Sequence, residues 1–223
     1  MRQNSKQNKI AEIIKLLDKA YPEVRSSLNF ETPFQLTIAV LLAAQCTDER
    51  VNKTTKVVFA KYPTVQDFNK LSVEELMELF KNINFYRNKS RNIKKLSAVI
   101  VNEYNGEIPN DPDELVKLPG IGRKSANVIL NDAYKSPCGI AVDTHVKRMS
   151  GRLGLTKETD PSKIEKDLLK VLPKEYWHRA NHLFVHYGRQ VCKAKNPDCN
   201  KCMIKQYCKG AFIYSVTSNT RKE

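Results

Sequence analysis

The sequence predicts an all-α protein, and three observations carry that expectation. Apolar residues recur at helical spacing, helix-start signals recur along the chain, and no stretch shows the strict two-residue alternation of a half-buried strand.

Ile10, Ile13, Ile14 and Leu17 share one helical face and Pro22 breaks the pattern, so a first amphipathic helix is expected over about residues 5–20. Thr32 and Pro33 read as an N-cap and first-turn proline ahead of Phe34 to Ala44. That run is apolar on nearly every side, which predicts a buried central helix. Ser72 with Glu75 forms a capping box before Leu76, Leu79 and Phe80, and Asp111, Pro112 and Glu114 mark another start before Leu115. Further starts are expected at Asp143 and at Asp160 with Pro161, and a long helix from about Lys174 to Val191. From about Gly210 onward, Ser, Thr, Asn and charges predict a frayed tail. No Pro/Gly/Ser-rich linker and no internal repeat interrupts this order.

A chain of 223 residues is long enough to bury a sizeable core in one large domain or two small ones. With 38 Lys and Arg against 24 Asp and Glu, the formal charge is +14, while 41% hydrophobic residues exclude simple disorder. The apolar stretch near Ile38 to Ala44 falls far short of the about 20 residues that cross a bilayer, and the polar N-terminus has no apolar signal block. A soluble, untargeted protein is therefore expected, and a cytoplasmic monomer with no membrane partner is the accompanying expectation. The excess charge suits a polyanion, because Lys and Arg near phosphates release condensed counterions. A solvated basic surface is the bland alternative, and charge alone does not separate DNA, RNA and membrane.

Cys192, Cys199, Cys202 and Cys208 follow the pattern C-x6-C-x2-C-x5-C. Without a secretory signal, so compact a set favours thiolates holding a metal or cluster over disulfides. A 4Fe-4S cluster takes one Cys per iron; zinc is the competing occupant, although only Cys199 and Cys202 make the short turn typical of its structural sites. Arg189, Lys193, Lys195, Lys201, Lys205 and Lys209 surround the set, either as phosphate contacts or as compensation for thiolate charge. Cys46 and Cys138 lack partner spacing and read as small hydrophobes.

Leu118-Pro119-Gly120-Ile121-Gly122-Arg123-Lys124 precedes the apolar run Ala126, Val128, Ile129, Leu130 and Ala133, and reads as helix, glycine hairpin, helix. Its glycines permit a tight turn and close ligand approach, and the amides opening the second helix can receive a phosphate oxygen. A plain interhelical turn is the alternative. Lys124 falls in the first turn of that helix, where the positive end of the dipole disfavours an ammonium and so favours a free, nucleophilic amine. Nineteen positions on, Asp143 stands at a helix start, either as an N-cap alone or as a fixed anion that stabilises developing positive charge on a sugar. His145 reads as a packing histidine or a pocket wall.

Together the hairpin with its lysine, Val142-Asp143-Thr144-His145, Leu41-Leu42-Ala43-Ala44-Gln45 and the four-cysteine loop resemble the endonuclease III family of helix-hairpin-helix DNA glycosylases and lyases, from about Leu28 to Lys209. The resemblance implies two all-α domains: a six-helix domain over 28–134 with the hairpin, and a 4Fe-4S cluster domain over 1–27 and 135–209. Residues 210–223 would form the tail, and damaged double-stranded DNA would lie in a groove between the domains, so the cytoplasmic monomer would be associated with DNA. By the same resemblance Lys124 attacks C1′ of a damaged nucleotide, mainly an oxidised pyrimidine, and Asp143 assists, after which the imine permits β-elimination. The four cysteines would hold the cluster. Gln45 would fill the space left by the flipped nucleotide, and Ile83-Asn84-Phe85-Tyr86 would supply the wedge, through Ile83 or Phe85. Leu118, Gly120, Gly122, Arg123, His145, Lys195 and Lys201 would complete the DNA contacts.

Two departures from the family pattern stand out. Asn84 occupies a position where Gly is common and Phe85 one where an aliphatic wedge is common, and Lys135 to Gly139 runs one residue longer than usual. The rival readings are a DNA-binding protein without turnover and a zinc-stabilised RNA or structural protein.

Overall fold

A computed structural model describes the chain from residue 2 to residue 210, with side chains from residue 6; the expected tail beyond Gly210 lies outside the described residues. No strand occurs among them. The chain separates into two compact units, one of Ser26–Cys138 and one that joins Met1–Arg25 to Gly139–Glu223.

The unit built from one continuous segment is organised around α2 (Pro33–Ala43). Thr32 caps it by accepting from the Gln35 amide at 3.2 Å. Its residues Phe34, Leu36, Ile38, Ala39, Leu41 and Leu42 are buried, as the all-round apolar run requires. Against it pack α3 (Asp48–Lys61), α6 (Tyr86–Glu103) and α8 (Arg123–Ala133), with α4 (Val65–Lys70) and α5 (Val73–Leu79) on α6 and α7 (Pro112–Leu115) on α8. Reciprocal capping boxes open α4 at Thr64 and Asp67 and α5 at Ser72 and Glu75. Asp111 accepts from the Asp113 and Glu114 amides at 2.9 and 3.0 Å and so starts α7.

The start signals read from the sequence omit α3, α4 and α6. For α3 and α4 a signal exists: Thr47 precedes Asp48 and Glu49, and Thr64 stands three residues before Asp67. The start of α6 has none, since it follows Phe85 in a left-handed conformation with no side-chain cap.

The second unit holds α1 (Arg2–Ala20), α9 (Thr144–Arg152), α10 (Pro161–Val171) and α11 (Trp177–Gln190). Ile10, Ile13, Ile14 and Leu17 are fully buried in one core with Leu183, Phe184 and Tyr187. The Lys9 ammonium donates to the Leu153 carbonyl at 2.6 Å, so α1 satisfies an orphan acceptor just past α9. Arg179 of α11 closes the other end of α1 through Asp18 at 2.7 Å and the carbonyls of Tyr21, Pro22 and Val24. The expected helix from Lys174 to Val191 divides into a 3₁₀ turn, Lys174–Tyr176, and α11. Pro173 precedes the turn, and the Trp177 indole donates to the Leu172 carbonyl at 2.9 Å, which fixes the change of direction. No described helix is long and apolar enough to cross a membrane.

Candidate functional site

The hairpin is anchored by its apolar residues and presents its polar ones. Leu118 and Ile121 are 2% and 5% exposed, and the Ile121 amide donates to the Leu118 carbonyl at 3.1 Å. Gly120 sits at φ +84°, where a Cβ would lie 3.1 Å from both Leu41 and Asn92. Gly120→Ala is therefore expected to destabilise the protein by about 1–2 kcal/mol, from the left-handed backbone alone, measured by denaturant unfolding. Gly122 differs: it is the N-cap of α8 at φ −100°, gives no side-chain cap, and a Cβ there would meet nothing within 4 Å. Arg123 and Lys124 follow, both exposed, so the amine stands in the first turn beside amides that no side chain caps. The Leu118 side chain is in the core, so what Leu118 offers this surface is backbone.

A second feature of the same unit joins two turns. Gln45, just past α2, has φ +54°, and Phe85, just before α6, has φ +57°. For residues with a Cβ such conformations cost energy and persist only where the surroundings enforce them. Phe85 is 63% exposed, whereas Ile83 is 2% exposed in the core. Of the two wedge candidates only Phe85 offers its side chain to solvent, and the buried Ile83 anchors the turn instead. Asn84 donates to the Gln45 carbonyl at 2.7 Å and accepts from Arg50 at 3.2 Å. Lys89, 6% exposed, donates to the Leu42 and Ala44 carbonyls at 2.7 and 2.6 Å. Burial pushes the pKa of Lys89 below the usual lysine value.

Asp143 belongs to the other unit, as the N-cap of α9. Its Oδ1 accepts from the His145 and Val146 amides at 2.9 and 2.8 Å. The carboxylate is thereby fixed by two backbone donors, which suits either of the roles considered for it. His145 is half-buried, and its Nδ1 lies 3.0 Å from the Arg148 guanidinium. Burial pushes the His145 pKa down, Arg148 and Arg189 add to the fall, and Asp143 and the Gly188 backbone oppose it. Arg148 also donates to the Gly188 and Cys192 carbonyls, each at 2.9 Å.

Cys192, Cys199, Cys202 and Cys208 are not joined in disulfides and line one small cavity with Arg152 and Lys205. Burial pushes the Cys199 thiol up, and neighbouring Cys202, Cys208 and Cys192 push it the same way. Arg152, at the end of α9, donates to the Cys192 sulfur at 3.2 Å and to the Lys193 and Ala194 carbonyls at 2.8 and 3.1 Å. A cation set against sulfur on a loop of four thiols fits a group that carries the negative charge of thiolates. No three His, Cys, Asp or Glu side chains among the described residues are placed to hold a single metal ion. Lys195 and Lys201 are exposed on the same loop. The sequence reading missed Arg148, Arg152 and Lys89, and noted Asn84 only as a departure from the family pattern, because their roles rest on backbone acceptors distant in sequence and carry no local motif.

The profile of the HhH-GPD superfamily of base excision DNA repair proteins matches residues 38–174. Endonuclease III of Synechocystis is 44% identical over 207 residues, covering 93% of this chain and 94% of that one. Endonuclease III of Bacillus subtilis is 46% identical over 190 residues, covering 85% and 86%. A trapped covalent intermediate of an endonuclease III with DNA superposes with a TM-score of 0.87 at 43% identity, over 94% of this chain and 98% of that one.

Proposed function

Because the chain belongs to the HhH-GPD superfamily of base excision DNA repair proteins, and within it to the endonuclease III family, we propose that Lys124 is its nucleophile and Asp143 its assisting carboxylate. The protein is a base excision repair enzyme, a DNA glycosylase and abasic-site lyase. The roles assigned to its residues rest on one observation: an exposed lysine amine stands in the first turn of α8, directly behind a glycine N-cap that supplies no side-chain hydrogen bond.

In this reading the hairpin amides receive a phosphate oxygen of the duplex, and Gly122 is glycine because a side chain there would occupy the phosphate's place. Gly122→Ala is expected to change stability by no more than about 0.5 kcal/mol, since its Cβ meets nothing in the chain. Duplex affinity falls several-fold in the same variant, as titration at fixed salt would show. The damaged nucleotide is flipped from the stack, Gln45 fills its place and Phe85 holds the opened step.

The free amine of Lys124 attacks C1′, the glycosidic bond breaks, and its electron pair departs with the base, which takes up a proton. Opening of the sugar then gives an imine between Nζ and C1′. Loss of a C2′ proton expels the 3′ phosphate by β-elimination, and water releases the lysine. Asp143 stabilises the positive charge that develops on the sugar and relays protons between these steps. Oxidised and ring-opened pyrimidines such as thymine glycol, together with abasic sites, are the proposed substrates.

Cys192, Cys199, Cys202 and Cys208 would hold a 4Fe-4S cluster, one thiolate per iron, with Arg152 donating to Cys192. A cluster bound there would crosslink the basic loop, on which Lys195 and Lys201 stand exposed as candidate phosphate contacts. Purified protein is then brown and contains iron and sulfide; a colourless zinc protein would reject this assignment. The enzyme is proposed to act as a monomer in the cytoplasm.

The test of the reaction is borohydride trapping on a duplex containing thymine glycol, followed by peptide mapping of the adduct. Attachment at Lys124 supports the assignment, and attachment at another amine overturns it. Trapping on an abasic duplex alone would keep the lyase and reject thymine glycol as substrate.

A further inference from the structure

Three carbonyls at and just past the end of α2, those of Leu42, Ala44 and Gln45, accept from side chains of α6 and of the turn before it. Helix C-termini leave such carbonyls without intrahelical partners, and here Lys89 takes the first two and Asn84 the third, at 2.7, 2.6 and 2.7 Å. The Asn84 amide is itself oriented, because Arg50 of α3 donates to its oxygen at 3.2 Å. Its nitrogen is therefore the end that meets the Gln45 carbonyl. On either side of this contact stand two non-glycine residues in the left-handed region, Gln45 at φ +54° and Phe85 at φ +57°. Both are exposed, so core packing of their own side chains does not hold them there.

We infer that Asn84 is a positioning residue that locks the Gln45 and Phe85 turns into one preorganised unit, so that plug and wedge enter damaged DNA together. The inference rests on the reading of these two residues as the groups that enter the duplex. Without Asn84, each turn is free to relax toward ordinary backbone angles, and ordering both again must be met from binding energy. Lys89 remains, so the end of α2 stays capped and the loss is confined to the coupling.

Asn84→Ala removes the amide without adding charge or bulk on an exposed position. The measurement compares wild type and variant on a duplex with a tetrahydrofuran abasic-site analogue and on the same duplex undamaged, with 2-aminopurine beside the analogue to report unstacking. The expected result is about fivefold to tenfold weaker binding to the analogue duplex, a lower 2-aminopurine signal at saturation, and unchanged binding to undamaged DNA. An unchanged preference for the analogue would overturn the inference, as would equal loss on both duplexes. Thermal melting of both proteins checks the fold: a melting point unchanged alongside lost preference supports positioning, and a fall in melting that tracks the loss of binding would overturn it. If wild type itself shows no preference for the analogue duplex, the DNA-entry reading fails, a result distinct from failure of Asn84 alone. Lys89→Met provides the contrast, since it uncaps α2 and should lower the melting point while Asn84→Ala does not.

Discussion

Lys124→Gln abolishes the borohydride-trapped adduct and lowers base removal by about three orders of magnitude or more, while affinity for an abasic-analogue duplex changes less than about threefold. The separation follows from where the residue stands. Lys124 is exposed in the first turn of α8 and belongs to no core cluster, so the fold does not depend on it. Gln is close to Lys in helix propensity and in length, which keeps α8 intact. Its amide lone pair is delocalised and cannot form the bond to C1′, so the route through an imine closes. The hairpin amides, Arg123 and the remaining cations still meet phosphate, and removing one charge reduces the salt slope by at most about 1. A trapped adduct of wild-type yield in Lys124→Gln would place the nucleophile elsewhere. Loss of binding together with loss of turnover would instead make Lys124 a phosphate contact.

Much of this arrangement was legible in the sequence because its physics is local. The faces of α1 and α2 follow from spacing of apolar residues, and α5, α7, α9 and α10 begin at polar caps that a few residues define. The hairpin was legible for the same reason, since Gly120 carries a positive φ and Leu118 and Ile121 alternate with it into the core. What was not legible depends on distance. The start of α6 has no cap of its own, and its turn is held by Asn84 reaching 39 residues back to Gln45. Ile83 and Phe85 were interchangeable as wedge candidates until burial separated them, because two apolar residues two positions apart in a turn have no periodic rule to sort them. Arg148 and Arg152 likewise look like surface charges until carbonyls of α11 and the cysteine loop, 40 to 44 residues away, come to meet them.

Asp143→Asn is expected to reduce turnover by about a hundredfold or more while leaving folding and duplex affinity near wild type. The substitution is informative because Asn divides the observed cap from the proposed catalytic carboxylate. As the N-cap of α9 it accepts from the His145 and Val146 amides through Oδ1, and an asparagine carbonyl oxygen can do the same. The cap therefore survives, and with it the position of His145 and the helix that carries Arg148 and Arg152 to the cysteine loop. The negative charge does not survive, and neither does the capacity to take up a proton. Asp143→Ala removes the cap as well and should cost an additional 0.5–2 kcal/mol or so of stability, which denaturant unfolding would read. Comparing the two variants separates the cap from the charge. Equal and severe loss of turnover in both, with only the alanine variant destabilised, assigns catalysis to the carboxylate. Wild-type turnover in Asp143→Asn would leave Asp143 as a cap alone, and the proton relay would then have to come from another residue or from water.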